Sequence, residues 1–475
     1  MAIEKSLNLD ISADTSAAAI PPANDEAEVF ITGTNGVDFR TVSWVKAAIF
    51  LLKMTFATGV LSIPAALYTL GAVAGAIFII FWGLLNTYMA YIQGQFKLAH
   101  PSVHTVADAA HIAIIDLGCR ERTAYLVREV TELLYTVSWI MCTGLGILGL
   151  SIALNAVSKH SACSIVFGLA AYLIVATIAS IRKMEHLSWI TWLGFITLVI
   201  AILIVVVAVT IPDRPAAAPK KGDFDLGFFA FPPAGTTFVA AWAASLAIYA
   251  SSANTSGFVP VISEMREPKD FFKSLYTCMT WVTSSYLALG LTIYAYCGKW
   301  VTSPALGSAG PTIKIIAYAI AIPGLIATGM ICVHISAKSV FVRLLRGTRH
   351  LTENTKTHWA VWLSCTYGTG AAGYILSEAV PFFSSLVSLI GALGFGPLGI
   401  CLPVLLWASL HKNTWQRSAL WNCAWVLQLC VFALGLLVTV GGTYATVVSI
   451  VAQYNAGQVG SAFSCADNSG TLVSS

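Results

Sequence analysis

The sequence predicts an all-α integral membrane protein of eleven transmembrane helices, arranged as two halves of five helices with one additional helix. Of its 475 residues, 57% are hydrophobic and 10% are charged, and the mean hydropathy is +0.78, whereas soluble domains are roughly 25% charged. Eleven apolar runs approach the roughly 20 residues that cross about 30 Å of hydrocarbon. Two of these runs, at matching positions of the two halves, are interrupted by small polar residues, glycine and proline. Such pairs are typical of inverted repeats in transporters.

Each predicted span is an apolar run that ends at a loop with charged or turn-forming residues. The third and eighth runs are longer than a bilayer requires, so we expect them to tilt or to extend into the cytosol. The eleven runs are 44–67, 71–96, 123–156, 163–181, 187–211, 236–262, 272–298, 311–345, 357–377, 381–410 and 415–440.

Lysine and arginine are distributed unevenly between alternate loops. With a cytosolic N-terminus, 17 of the 26 lie on the cytosolic side, 6 lie on the opposite side and 3 lie inside spans. Because cytosolic loops are enriched in these residues, the sequence predicts a cytosolic N-terminus and an extracellular C-terminus.

Two tails flank one membrane domain. Residues 1–40 contain few large apolar side chains and no secretory signal, which predicts a disordered cytosolic tail. Residues 41–445 hold the eleven spans, and residues 446–475 form an extracytosolic tail. The proline-rich segment 212–222 separates the first five spans from the next five.

The two interrupted runs predict a binding site inside the membrane. The first interruption is TGVLSIP at 58–64, and the second is SSANTSG at 251–257 with Pro260 beyond it. Non-helical backbone at membrane depth is tolerated only where protein or a water-filled cavity surrounds it. The alternative is that glycine and proline only kink these helices, since both are common in transmembrane segments.

The residues around both interruptions resemble the fungal neutral amino-acid permeases of the amino acid/auxin permease family, within the amino acid–polyamine–organocation superfamily. The similar segments are LLK at 51–53, ATGVLSIP at 57–64 and ISEMREPKDF at 262–271, within a resemblance that spans residues 42–444. It implies a LeuT-like fold with broken helices 1 and 6. It also implies proton-coupled uptake of amino acids.

An amino acid is a zwitterion, and both of its charges need partners when they leave water. A half-helix that begins after a break offers free N–H groups, and one that ends before a break offers free C=O groups. We therefore expect the carboxylate near the N–H groups of 59–61 and the ammonium near the carbonyls of 249–251. The candidate substrate-binding residues are Thr58, Gly59, Val60, Leu61, Ser62, Tyr135, Trp139, Tyr249, Ser251, Ser252, Asn254 and Thr255.

The side chains in both interruptions predict a neutral substrate. Neither interruption contains an aspartate or glutamate that would pair with a cationic side chain. Tyr135, Trp139 and Tyr249 are candidates to line the subsite for the substrate side chain. The alternative is that these aromatic residues face lipid or pack in the core.

Proton coupling is predicted from ionisable residues at bilayer depth, which are costly and usually functional. The candidates are Lys53, Glu132, His334 and Lys338. A fixed ammonium at Lys53 would repel a sodium ion, and the resemblance adds that sodium-coupled relatives carry asparagine there. Two alternatives remain: Lys53 extends to the cytosolic headgroups, and Glu132 is interfacial. If Glu132 lies beside Lys53, proton binding would compete with the ion pair.

Charges of both signs alternate in the loop that follows the sixth span. Glu264 and Arg266 are predicted to form an inner gate, in which ion pairs close the cytosolic path and break on opening. The alternative is an ordinary solvated loop.

The sequence predicts no metal site, no cofactor and no nucleic-acid partner. Its eleven cysteines form no CxxC pair, and most lie in apolar runs. On the predicted outer side, a disulfide between Cys163 and Cys465 is possible, with Cys297 as a third candidate. The expected partners are an amino-acid substrate, protons and the lipid bilayer, and the oligomeric state stays open.

The predicted function is secondary active uptake of neutral aliphatic and aromatic L-amino acids with protons, at the plasma membrane. A membrane enzyme would need a motif such as HExxH or GxSxG, and neither occurs. Two alternatives remain open: a vacuolar or exporting amino-acid carrier, and a nutrient receptor that keeps the fold without transporting.

Overall fold

The computed structural model describes residues 42–56, 59–182, 184–351, 353, 355–415, 417–456 and 462–469. The side chains of 184–188 are not described. The predicted N-terminal tail and Thr58 lie outside the described residues. Within these residues every named element is a helix, and one isolated parallel β-bridge joins Val42 to Met265. An all-helical architecture therefore agrees with the predicted fold class.

The first half of the chain contains nine α-helices, two of which are followed by a short 3-10 turn. They are α1 (Trp44–Phe56), a 3-10 turn (Gly59–Ser62), α2 (Ile63–Leu70), α3 (Ala72–Ala99), α4 (Val106–Asp116), α5 (Glu121–Ser158), α6 (Ser164–Ala179), α7 (Met184–Thr210), α8 (Phe238–Ser252), a 3-10 turn (Asn254–Gly257) and α9 (Phe258–Glu264).

The second half contains seven further α-helices. They are α10 (Phe271–Cys297), α11 (Pro311–Leu345), α12 (Lys356–Ala379), α13 (Phe383–Leu389), π turns (Ile390–Phe395 and Pro397–Cys401), α14 (Leu402–Leu410), α15 (Ala419–Leu436), a π turn (Leu437–Gly441) and α16 (Gly442–Asn455).

Each of the eleven predicted spans coincides with helical structure. By length and apolar composition, six helical segments of the described chain qualify as membrane-crossing: Trp44–Leu70, Ala72–Ala99, Glu121–Ser158, Trp189–Thr210, Pro311–Leu345 and Ala419–Asn455. A seventh is added if Phe383–Phe395 and Pro397–Leu410, bent by 44°, count as one span. The total of eleven stays a prediction.

Two helical features differ from the predicted boundaries. The last helix continues to Asn455, beyond the predicted end of the span at residue 440, because a π turn at Leu437–Gly441 leads directly into α16. Ten residues of the predicted C-terminal tail are therefore helical. An additional helix, α4, lies between the second and third spans, where the Thr105 side chain caps its first turn by accepting from the Asp108 N–H.

The linker between α7 and α8 folds over neighbouring helix ends. The Phe229 carbonyl accepts from the Ala72 N–H at 2.8 Å, at the start of α3. The Lys299 ammonium donates to the Asp225 carboxylate at 3.0 Å, and this hydrogen bond holds the pKa of that exposed carboxyl below its usual range. The extended segment predicted at 212–222 thus leads into an ordered connection.

Residues 462–469, which we call the C-terminal strap, lie across the ends of three helices. A disulfide joins Cys163 to Cys465, so the pairing left open by the sequence is present in the structure. The Asn155 amide, near the end of α5, donates to Asn468 Oδ1 at 2.8 Å. The Lys314 ammonium, at the start of α11, donates to the Ser469 carbonyl. The strap therefore connects α5, α6 and α11 at one end of the bundle.

Candidate functional site

Both predicted interruptions are present as breaks between two half-helices. Each contains a 3-10 turn, at Gly59–Ser62 and at Asn254–Gly257. Pro64 and Pro260 both lie in the first turn of the half-helix that follows, where a missing N–H costs no helical hydrogen bond. Neither proline therefore disturbs the half-helix in whose first turn it lies.

The two breaks touch each other. A Cβ atom placed on Gly59 would lie 2.8 Å from the Ser251 Cα atom and 3.0 Å from its carbonyl oxygen, so only glycine fits. The Ser251 and Ser62 hydroxyls both donate to the Gly59 carbonyl, at 3.1 Å and 2.8 Å. The Asn254 amide donates to the Met54 carbonyl at 2.6 Å. Side chains of each break therefore satisfy backbone groups that the helices leave free.

A cavity of about 60 Å³ lies between the two breaks. One water molecule needs roughly 10–15 Å³ of such space, so the cavity holds a few waters. No charged side chain is found among the described residues that line it. The lining residues are Met54, Thr55, Gly59, Trp139, Cys142, Leu145, Ala250, Ser251, Asn254, Thr328, Cys332, Val387, Ile390 and Phe395.

Four of the predicted substrate-binding residues line this cavity: Gly59, Trp139, Ser251 and Asn254. Trp139 is 3% exposed, and its indole N–H has no hydrogen-bond partner among the described residues. Tyr135 itself packs edge-on against Trp139, one layer behind the wall. A buried donor without a partner is costly. A ligand acceptor in the cavity would remove that cost.

Val60 and Leu61 lie elsewhere. Both line a separate apolar void of about 10 Å³ that also contacts Pro64. Their side chains therefore pack away from the cavity, while the N–H groups at 59–61 begin the second half of the broken helix. The prediction for these residues concerned backbone N–H groups, so the placement of their side chains does not decide it.

Tyr249, Ser252 and Thr255 face the neighbouring helices. The Asn86 amide donates to the Ser252 hydroxyl at 2.8 Å, and the Gln93 amide donates to the Thr255 hydroxyl at 3.2 Å. The Tyr249 hydroxyl donates to a carbonyl of the π turn at Ile390–Phe395, at 2.8 Å. These three side chains fasten the broken helix to α3 and to the bent tenth span.

Three residues that position the second break were not singled out from the sequence: Asn86, Gln93 and Tyr286. The Tyr286 hydroxyl lies 2.8 Å from the Ser251 carbonyl, and the Asn86 amide lies 3.4 Å from the Tyr249 carbonyl. These two contacts hold the carbonyls at the end of α8 against α3 and α10. The available signal was the set of amide residues in the second predicted span, where Asn86 and Gln93 lie seven positions apart and Gln95 follows.

Lys53 is buried between α1 and α11, with 1% of its surface exposed. Its ammonium lies 3.4 Å from the Gly324 carbonyl and 3.3 Å from the Thr328 hydroxyl. Thr328 also lines the cavity. Thr328 therefore lies between the Lys53 ammonium and the cavity, and the buried lysine side chain does not extend to the headgroup region.

Glu132 does not lie beside Lys53. Its carboxylate accepts from the Ser339 hydroxyl at 2.5 Å. Ser339 is eleven residues beyond Thr328 on α11, a distance of about 16 Å along a helix. Among the described residues Glu132 and Lys53 form no ion pair, so the condition under which proton binding would compete with such a pair is not met.

The other two coupling candidates have different environments. His334 is buried, and its Nδ1 atom lies 3.2 Å from the Ala179 carbonyl at the end of α6. Lys338 is exposed on the same helix. The four predicted coupling residues therefore do not form one cluster.

Glu264 and Arg266 contact the start of α1 through their backbones. The Val42 N–H donates to the Glu264 carbonyl at 3.2 Å, and the Arg266 N–H donates to the Val42 carbonyl at 2.9 Å. Both side chains are exposed, and among the described residues neither forms an ion pair within 4.0 Å. The contacts observed at the two predicted gate residues are therefore backbone hydrogen bonds.

Paired broken helices around a small uncharged cavity, in a bundle of apolar helices, are typical of membrane transporters. Residues 40–448 match the model of the family described as transmembrane amino acid transporter protein. The chain belongs to this family of multi-pass membrane proteins.

Fungal relatives align along almost the whole chain. A "Transmembrane transporter" of Gibberella moniliformis is 40% identical over 446 residues, which cover 94% of this chain and 92% of that protein. A "Transmembrane transporter" of Fusarium pseudograminearum is 39% identical, covering 93% and 91% of the two chains. An "N amino acid transport system protein" of Neurospora crassa is 26% identical, covering 94% and 96%.

Replacing Asn86 with leucine should destabilise the protein and slow transport together. The change removes the donor to Ser252 and leaves a buried hydroxyl without that partner, which costs about 1–3 kcal/mol. Thermal unfolding of the detergent-purified protein and amino-acid uptake measure the two effects. The control is Thr292→Val, because the exposed Thr292 hydroxyl bonds only within its own helix. Equal melting temperatures for Asn86→Leu and the control would contradict the positioning role.

Proposed function

We propose that this protein is a proton-coupled symporter that takes up neutral aliphatic and aromatic L-amino acids by alternating access, and that it is not an enzyme. The observation that carries the proposal is the uncharged cavity between two broken helices. A site of this kind supplies partners for both charges of a zwitterion and none for a charged side chain.

The proposed architecture has eleven spans in a LeuT-like 5+5 inverted repeat, with α1–α2 and α8–α9 as broken helices 1 and 6. The transporter domain covers 41–445, between a cytosolic N-terminal tail and a C-terminal tail at 446–475. The contact between the two breaks supports this arrangement, because equivalent helices of an inverted repeat meet at the substrate site.

The substrate carboxylate is proposed to bind at the N–H groups of 59–61, near residue 58, and the ammonium at the carbonyls of 249–251. Ser251 lines the cavity at the end of α8, and this placement supports the second assignment. The side-chain subsite is formed by Trp139 and the apolar lining beside it. Since the cavity holds only a few waters, larger substrates require it to widen.

Lys53 is the proposed coupling residue, acting through Thr328. The Thr328 hydroxyl contacts both the Lys53 ammonium and the cavity, so a change in charge at Lys53 alters a cavity wall directly. Glu132, His334 and Lys338 are retained as secondary candidates along α11. Glu264 and Arg266 belong to the proposed inner gate, where their backbones hold the start of α1.

The proposed orientation places the N-terminus in the cytosol and the C-terminus outside. Disulfides persist in oxidising compartments, so the bond between Cys163 and Cys465 supports an extracytosolic location for the strap. The plasma membrane is the proposed location. A vacuolar or exporting carrier is the alternative, because a vacuolar membrane also has one cytosolic face and one non-cytosolic face, and the same orientation would fit it.

Uptake by the purified protein in proteoliposomes tests the proposal. A panel of radiolabelled amino acids is offered under an imposed proton gradient and, separately, under a sodium gradient. The expected result is concentrative uptake of neutral amino acids with the proton gradient alone. Sodium-driven uptake without proton dependence would refute the coupling, and binding without flux would favour a receptor.

A further inference from the structure

The third and eighth spans, α5 and α11, touch backbone to backbone beside the cavity. A Cβ atom on Gly146 would lie 2.8 Å from the Gly329 Cα atom. Nearer the start of α5, the Thr136 hydroxyl lies 2.9 Å from the Ser339 hydroxyl. As residue numbers rise along α5, those of its partners fall along α11. The two helices are therefore antiparallel and closely packed along this contact.

Cys142 and Cys332 lie one turn from that glycine contact. Cys142 precedes Gly146 by four residues and Cys332 follows Gly329 by three, so each shares the interhelical face of its helix. In antiparallel helices these two positions face each other, and Cys142 packs against the small side-chain cluster that Cys332 forms with Met54 and Trp139. Both cysteines are free, and both line the cavity.

This placement differs from that of an ordinary buried cysteine. Buried cysteines are generally inert, whereas these two form part of the wall of a cavity that, under the proposed function, opens to admit substrate. A disulfide requires Cα atoms about 4.4–6.8 Å apart. Helices approach most closely where glycine meets glycine, as Gly146 and Gly329 do, and the proposed bond requires the positions one turn away to reach this range.

We propose that Cys142 and Cys332 are an oxidisable thiol pair, and that a peroxide converts them to a disulfide that arrests transport. The two S–H bonds and the peroxide O–O bond break, and one S–S bond and two water molecules form. The two thiols lose two electrons and the peroxide gains them. The new bond fixes α5 to α11 across the cavity wall. The effect on transport rests on the proposed function, whereas formation of the disulfide does not.

The test uses the full-length protein in proteoliposomes treated with hydrogen peroxide. Remaining thiols are alkylated, and the peptides are analysed by mass spectrometry without reduction. The expected product is a peptide pair linked through Cys142 and Cys332. Uptake is expected to fall by about tenfold or more, since cross-linked molecules cannot complete the conformational cycle.

Three variants identify the responsible pair. Cys142→Ser and Cys332→Ser should each lose peroxide sensitivity, measured against the untreated rate of the same variant. Cys430→Ser is the matched control and should stay sensitive, because Cys430 is exposed on α15 and remote from the cavity lining. Absence of the linked peptide, or full peroxide sensitivity in Cys142→Ser, would overturn the proposal.

L-Alanine separates this inference from the proposed function. If the cavity is the substrate site, saturating L-alanine should slow formation of the cross-link. Cross-linking at an unchanged rate would uphold the thiol pair and count against the cavity as the amino-acid site. Protection by L-alanine without a fall in uptake after cross-linking would overturn arrest by the disulfide.

Discussion

Gly59→Ala is expected to reduce amino-acid uptake by about tenfold or more. The added methyl group would lie 2.8 Å from the Ser251 Cα atom, and backbone cannot rotate away as a side chain can. Overpacking costs about 1–3 kcal/mol, and each 1.4 kcal/mol is about tenfold in an equilibrium constant. The methyl group separates the two breaks, so the groups proposed to bind the two substrate charges move apart. Initial uptake rates in proteoliposomes measure the effect.

Gly368→Ala provides the matched control for this prediction. Gly368 lies in α12, and a Cβ atom there would meet no other atom within 4 Å. Alanine is also the better helix former, so this variant should keep normal stability and uptake. If Gly59→Ala transports as fast as Gly368→Ala, the contact between the breaks is not needed for transport.

Lys53→Met is expected to abolish concentrative uptake driven by a proton gradient while exchange of amino acids across the membrane continues. The change removes the ammonium that contacts Gly324 and Thr328, but it keeps a side chain of similar length between α1 and α11. Without the titratable group, substrate movement is no longer linked to proton movement. Counterflow assays and gradient-driven assays on the same proteoliposomes distinguish the two activities.

Lys46→Met is the control, because Lys46 lies on the same helix and its side chain is exposed. It should retain both activities. Proton-driven accumulation by Lys53→Met at the wild-type level would rule out Lys53 as the coupling residue. Loss of both accumulation and counterflow would indicate a structural role instead.

Local chemistry made the two breaks predictable. Glycine, proline, serine and asparagine interrupt a helix through their own conformational preferences. Segment 58–64 contains glycine, serine and proline, and segment 251–257 contains glycine, serine and asparagine. Their positions in the structure agree with the pattern. The all-helical fold likewise followed from composition, since only helices and closed barrels satisfy the backbone inside a bilayer.

Contacts between helices were much less predictable. Cys142, Thr328 and Phe395 complete the cavity from three different helices, and no local pattern distinguishes them from packed core residues. The separation of Glu132 from Lys53 also depends on how α5 aligns with α11. Depth estimated by counting residues from the end of each apolar run does not include that alignment.

The disulfide also limits how many times the chain can cross the bilayer. Cys163 and Cys465 are 302 residues apart and are joined, so both must lie on the same face of the membrane. The intervening chain must then cross an even number of times. Eight crossings are predicted between the two cysteines, and eight is an even number. A revised topology with seven or nine crossings between them would place the two cysteines on opposite faces and is excluded. Because Cys465 follows the last predicted span, the disulfide can form only after that span has been inserted into the membrane. Detecting the disulfide in protein purified from cells would therefore show that membrane insertion of the whole chain was complete.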